Sequence, residues 1–305
     1  MRPLIGLALG GGGARGYAHI GVIRTLITHQ IPIDVIAGTS MGAVIGGAYA
    51  CGVNLHKLEK ILRNLDVNKL LGIPDTTLRG IESLAGKTAS EYLFKKADWR
   101  TYEPERLKQL YEFLTLFTGD RNFENLAIPM GVVACDIDTG EEIVLRSGRL
   151  YRAIAASMSF PGIHPPIQHN GRFLVDGGLV NKIPVDAAVA MGAQIVIAID
   201  VGASLNARVM TSLDVLIQSQ AITSRELVRL KLELMRQQLG AKLIVIRPAV
   251  DRIRMFQLRQ LELPIHEGER ATLEKLDLIK EVIEKNSPPE QSPAVLSSLE
   301  TKPAV

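Results

Sequence analysis

The strongest constraint on this chain is a unit that occurs twice near its start. An apolar run meets a glycine-bearing turn, and an apolar stretch with helical spacing follows. The first copy is Leu4 to Leu9, the turn Gly10 to Gly16, and Tyr17 to Gln30, where Ile20, Ile23, Leu26 and Ile27 form one helical stripe. The second is Ile33 to Ala37, the turn Gly38 to Ser40, and Met41 to Cys51, closed by Gly52. Short strands that are apolar throughout are buried on both faces, and a helix between two such strands returns the chain parallel. The expected fold class is therefore α/β, a central, mostly parallel sheet flanked by helices.

The remaining sequence continues this rhythm. Glu105 to Thr118 and Leu150 to Met158 read as helices, and Ile128 to Ile137 reads as a strand. That strand turns at Asp138-Thr139-Gly140 into a paired strand, Glu142 to Arg146. Phe173 to Val175, Gln194 to Val201 and Lys242 to Arg247 are further strands. Pro184 to Met191, Ser212 to Gln238 and Glu267 to Lys285 are further helices, the last a single amphipathic one. Leu55 to Arg100 is mixed and broken by Gly72, Pro74, Gly80 and Gly86, which suits either a cover over a site or an ordinary helical excursion. The Pro- and Ser-rich tail, 287–305, is expected to be disordered.

Composition narrows the function classes. The chain has 305 residues, 47% hydrophobic and 22% charged, enough apolar material for a sizeable core. A net charge of +3 without a long Lys/Arg block gives no nucleic-acid footprint. Cys51 and Cys135 form no CxxC or Cys/His cluster, so neither a metal site nor a disulfide framework is expected. The apolar N-terminal run meets glycines and Arg15 at once, as a buried strand does and a signal peptide does not. No run approaches the roughly 18 to 20 apolar residues of a membrane helix. The expected location is cytoplasmic, with peripheral membrane contact left open, and the oligomeric state is not set.

Three glycine-flanked positions carry the chemistry. Gly38-Thr39-Ser40-Met41-Gly42 matches G-x-S-x-G between an apolar strand and an apolar helix. A serine on so sharp a turn is pushed toward substrate, and small flanks let strand and helix nearly touch. Gly10 to Gly16 admits two readings. Gly11, Gly13 and Gly16 satisfy the dinucleotide fingerprint G-x-G-x-x-G, but the acid that should follow, Asp34, falls at the start of the second strand instead of its end. Converging backbone N–H groups would equally make an oxyanion hole, with Arg15 steering an anion or bracing the loop. The serine needs a base. His266 lies among charges, His19 beside the glycine loop, and His164 and His169 around a Pro-rich loop. Asp176-Gly177-Gly178 places a carboxylate at a strand end on a tight turn and is the better candidate.

In that order, the glycine loop, Gly38 to Gly42 and Asp176-Gly177-Gly178 resemble the patatin-like phospholipases. Ala153 to Pro165, with Ala155, Ser157, Pro161 and Pro165, is similar to the block preceding that family's catalytic Asp. The resemblance covers about residues 4–200. It implies one patatin-like domain, with 201–286 completing it. It also implies a Ser40–Asp176 dyad without histidine and an oxyanion hole from Gly11, Gly12 and Gly13. Arg15, Gly16, Gly38, Gly42, Gly177 and Gly178 would support these motifs. No cofactor or metal is implied. Many members start the glycine loop with Asp, where this chain has Gly10. The bacterial stand-alone and neuropathy-target-esterase branches are most similar, and they suggest a phospholipid or lysophospholipid acyl ester, or another acyl ester, as substrate. The rival readings are a nucleotide-binding oxidoreductase and a non-catalytic partner-binding module.

Overall fold

The computed structural model describes residues 2–64, 104–161, 164–202, 205, 212–255 and 257–288. Eight strands form one sheet: β1 (Ile5–Leu9), β2 (Val35–Thr39), β3 (Met130–Asp136), β4 (Glu142–Leu145), β5 (Ile167–His169), β6 (Arg172–Asp176), β7 (Ile195–Ile199) and β8 (Leu243–Ile246). Their order is β5-β6-β3-β2-β1-β7-β8, with β4 also paired to β3. β3, β2, β1, β7 and β8 run parallel, and β4, β5 and β6 add an antiparallel flank. The sheet is thus mixed and mostly parallel, as the alternating apolar runs require.

Side-chain alternation divides the core into two layers. Ile5, Leu7 and Leu9 of β1 and Ile195, Ile197 and Ile199 of β7 face one cluster. Ala8, Val196 and Ala198 face the other. The larger cluster is covered by α1 (Ala18–Thr28), α2 (Met41–Ala50), α3 (Leu55–Asn64), α4 (Pro104–Thr118) and α5 (Leu150–Met158). The smaller one lies under α6 (Val185–Ala190) and the C-terminal part of α7 (Ser212–Leu239). Each fully buried Leu or Ile contributes about 1.5–3 kcal/mol here, so the sheet is a stiff platform for the loops at its edge.

Two details differ from the sequence reading. The last helix is two, α8 (Glu262–Leu273) and α9 (Leu276–Asn286), because the chain breaks at Glu274-Lys275 and resumes with buried Leu276, Ile279 and Val282. The strand β5 was not expected, since three residues including Gln168 and His169 carry no apolar alternation. Leu55 to Asn64 is a helix, whereas the rest of the proposed cover, 65–100, lies outside the described residues, as does the tail from 289.

What positions the site is the point where strand order reverses. β1 has β2 on one side and β7 on the other, and crossovers on opposite sides leave a crevice at the C-terminal ends of these strands. Leu9 pairs with Gly38, so the glycine loop after β1 and the serine turn after β2 emerge side by side.

Candidate active site

Ser40 sits between β2 and α2 with φ 54° and ψ −123°. A positive φ is costly for any residue with a Cβ and persists only where its surroundings hold it. Two things hold it here. First, Ser40 N–H donates to Ser157 Oγ at 2.8 Å, and Ser157 Oγ–H donates to the Val133 carbonyl at 2.6 Å. Ser157 is fully buried on α5, so this strut ties the turn to β3. Second, Gly42 permits the approach of α2 to β1: a Cβ there would lie 2.1 Å from the Leu9 carbonyl oxygen. Gly38, two residues before Ser40, is inside β2 and backs onto Ala43 of α2.

Asp176 ends β6. That strand runs antiparallel to β3, and its last residue pairs with Ala134, next to the Val133 that pairs with Thr39. Gly177 follows, lying over the Val133 carbonyl. Asp176 therefore reaches the serine turn across β3. It is 6% exposed, accepts the Gly178 N–H at 2.7 Å, and lines the same cavity as Ser40, whose hydroxyl acts on its charge. Burial pushes its carboxyl up to about 6, against the pull of the Gly178 N–H, the Ser40 hydroxyl and the Lys182 ammonium.

The glycine loop lies beside the pair. Its first two N–H groups are spent on scaffolding: Gly10 donates to the Ile199 carbonyl at 3.1 Å and Gly11 to the Lys182 carbonyl at 3.0 Å. Ala14 donates to the Met255 carbonyl at 2.8 Å. Gly12 and Gly13, between them, have no acceptor among the described residues. Gly11 is thus the odd one of the three expected donors, occupied by an internal bond. Gly13 has φ +58°, and a Cβ there would lie 2.3 Å from the Met255 carbonyl oxygen, so the turn requires glycine. Gly10 sits so close to β7 that a Cβ would lie 2.7 Å from the Ile199 oxygen, leaving no room for an aspartate in this loop.

Arg15 is buried, and its Nε donates to the Gly12 carbonyl at 3.2 Å, so it braces the loop while also lining the cavity. Gly16 packs on Met41. His19 is fully buried with its Nε2 2.8 Å from the Gly10 carbonyl, and burial pushes its imidazole down to about 4. It is a neutral donor to the loop. His266 is exposed on α8, while His164 lines the cavity. Asp34 lies at the opposite end of β2 from Ser40. It accepts the Ile5 N–H at 2.7 Å and pairs with Arg2, so it has no place beside the glycine loop.

Ser40, Asp176, Gly12 and Gly13 open together into a cavity of about 400 Å³. Its walls are largely apolar, with Met41, Met158, Phe160, Leu179, Met255 and Leu258 among them. Residues 220–228 of α7 form one side. Two residues to which sequence reasoning gave no role of their own matter here. Ser157 had a weak signal, its place in the small-residue block. Lys182 had none beyond its nearness to Asp176. Among the described residues there is no cluster suited to a metal ion, and no helix is long and apolar enough to cross a membrane.

The fold and site define an α/β protein with a strained serine on a strand-to-helix turn, a buried carboxylate against it, and a glycine loop alongside. The sequence profile of the patatin-like phospholipases matches residues 7–189, and the chain belongs to that family. It is 37% identical over 212 residues to a patatin-like phospholipase domain-containing protein of Caenorhabditis elegans, covering 65% of this chain and 14% of that protein. It is 37% identical over 201 residues to lysophospholipase NTE1 of Mycosarcoma maydis, covering 65% and 10%. An uncharacterized NTE family protein of Mycobacterium bovis is 34% identical over 202 residues, covering 66% and 50%. The chain thus spans between 10% and 50% of the length of these relatives.

Proposed function

We propose that this chain is a serine acyl-ester hydrolase that releases fatty acids from phospholipids or lysophospholipids. The observation that carries the proposal is the meeting in one cavity of Ser40, on a strained strand-to-helix turn, and a buried Asp176 whose carboxyl is raised to about 6. A carboxylate of ordinary pKa is a weak base at pH 7, and raising it toward neutrality strengthens it while leaving it mostly ionised. The lysophospholipase name carried by a relative supports the substrate class.

In this reading Asp176 takes the proton as Ser40 Oγ attacks the acyl carbonyl carbon. The N–H groups of Gly12 and Gly13, with the N-terminus of α2 behind Ser40, hold the oxyanion. Collapse of the intermediate expels the alcohol, which leaves with the proton from Asp176. Water, deprotonated by Asp176, then attacks the acyl-serine, and Asp176 returns that proton to Ser40 Oγ as the acyl–oxygen bond breaks and the fatty acid is freed. Arg15 and His19 act through the loop, holding Gly12 and Gly10 in place. The apolar walls suit an acyl chain.

The test is fatty-acid release from lysophosphatidylcholine by the native chain and by Ser40→Ala. Native turnover with a loss of at least ~10³-fold in the variant is expected. Equal turnover by both would remove Ser40 from the mechanism.

A further inference from the structure

The serine turn is held from both faces of the sheet. Ser157 grips it from the side of the larger core cluster. On the other side, the Thr39 side chain is in phase with Val35 and Ala37 and points into the layer of the smaller cluster. Thr39 is fully buried, and its hydroxyl donates to the Asn181 carbonyl at 2.9 Å. The next carbonyl, of Lys182, accepts the Gly11 N–H at 3.0 Å. The Asn181 N–H in turn donates to the Gly177 carbonyl at 2.8 Å, beside Asp176. One short stretch of backbone therefore joins the serine turn, the glycine loop and the Asp176 turn.

The Asn181 side chain fixes that stretch. It is fully buried, and its Nδ2 donates to Glu142 Oε1 of β4 at 2.7 Å and to Asp186 Oδ1 of α6 at 2.6 Å. Lys231 of α7 bridges the same two carboxylates, at 2.8 Å and 3.3 Å. Three elements thus converge on one amide. Its Oδ1 is buried with no partner among the described residues, which is unfavourable for stability. Turning the amide over would set that oxygen against both carboxylates, so the network admits only the observed orientation. We infer that Asn181 is a positioning residue, which sets the serine turn and the glycine loop against the Asp176 turn. The inference rests on the hydrolase reading and adds a residue to its machinery. Ser40 follows β2 and Asp176 ends β6, with β3 between them, so their alignment depends on such a link. A misplacement of about 1 Å can slow a reaction on the order of 10²-fold.

Kinetics on lysophosphatidylcholine test it first. Asn181→Ala removes both amide donors, and Thr39→Val removes the hydroxyl with little change of shape. Each should lower kcat at least ~10-fold and leave KM within about 2-fold of native. Thr39→Ser, which keeps the hydroxyl, should recover most of the loss. Combining Thr39→Val with Asn181→Ala should be little slower than the worse single variant, because both break one link. Native kcat in both single variants, even with lowered melting points, would overturn the inference and leave Asn181 a stability residue. Thr39→Ser as slow as Thr39→Val would overturn it too, and the Thr39 pair decides if Asn181→Ala does not fold. If the native chain releases no fatty acid, the hydrolase reading fails, and amide hydrogen exchange decides the positioning role by itself. The Gly11 and Ser40 N–H groups should then exchange at least ~10-fold faster in Thr39→Val or Asn181→Ala, with Ile195–Ile199 unchanged. Unchanged exchange at both groups, or an equal rise throughout the sheet, would refute it.

Discussion

Replacing Asp176 by Asn should inactivate the protein and make it more stable. The carboxyl moves from 3.8 to about 6 on folding, chiefly through burial. Each tenfold change in protonation equilibrium is worth about 1.4 kcal/mol, so the buried charge costs about 3 kcal/mol above pH 6. The sign follows from linkage. With its folded value raised, Asp176 favours the native state most below pH 3.8, where it is neutral in both states. That contribution is lost as pH rises to about 6 and stays lost beyond. Asn is neutral throughout and keeps an oxygen for the Gly178 N–H. Asp176→Asn should therefore melt about 5 °C above the native chain at pH 8, given the unfolding entropy of a domain this size. The gap should narrow to about half at pH 5 and close toward pH 4. Paired thermal melts from pH 4 to 8.5 read this directly. The same ionisation should appear as the acid limb of kcat/KM, with activity falling as pH drops through about 6. A melting gap that does not change with pH, or an acid limb near 4, would refute a desolvated Asp176.

Two substitutions probe how the serine turn is held. Gly42→Ala puts a carbon 2.1 Å from the Leu9 carbonyl oxygen, where only backbone could yield. It should cost at least ~2 kcal/mol and reduce serine reactivity, and an active variant with native melting would contradict the packing described. Ser157→Ala removes the acceptor of the Ser40 N–H and should cost about 1–3 kcal/mol while lowering kcat more than it raises KM. An unchanged kcat would show that Ser157 does not position Ser40.

Much of the architecture was legible because parallel strands buried on both faces leave an unbroken apolar signature. Leu4 to Leu9 and Gln194 to Val201 carry it, and both lie inside the sheet as β1 and β7, paired on each side. β5 was silent, since it is short, polar and held by pairing with β6 alone. The break between α8 and α9 was hidden because apolar periodicity spans it without glycine or proline. At the site, glycines at tight turns drew attention to Ser40 and Asp176, which the structure brings into one cavity. What spacing could not reveal was the division of labour within the loop. Gly11 and Gly12 are the same residue to a sequence reader. Only the position of the Lys182 carbonyl distinguishes a committed N–H from an open one. The strut from Ser157 to β3 is likewise a product of tertiary contact.

The central claim is that Ser40 is an activated nucleophile, and its most direct test is covalent labelling with a fluorophosphonate followed by peptide mapping. The native chain should carry one adduct, on Ser40, and Ser40→Ala should carry none. Asp176→Asn should react at least ~10²-fold more slowly, since it lacks the base. An adduct on another residue, or one that persists in Ser40→Ala, would contradict the account.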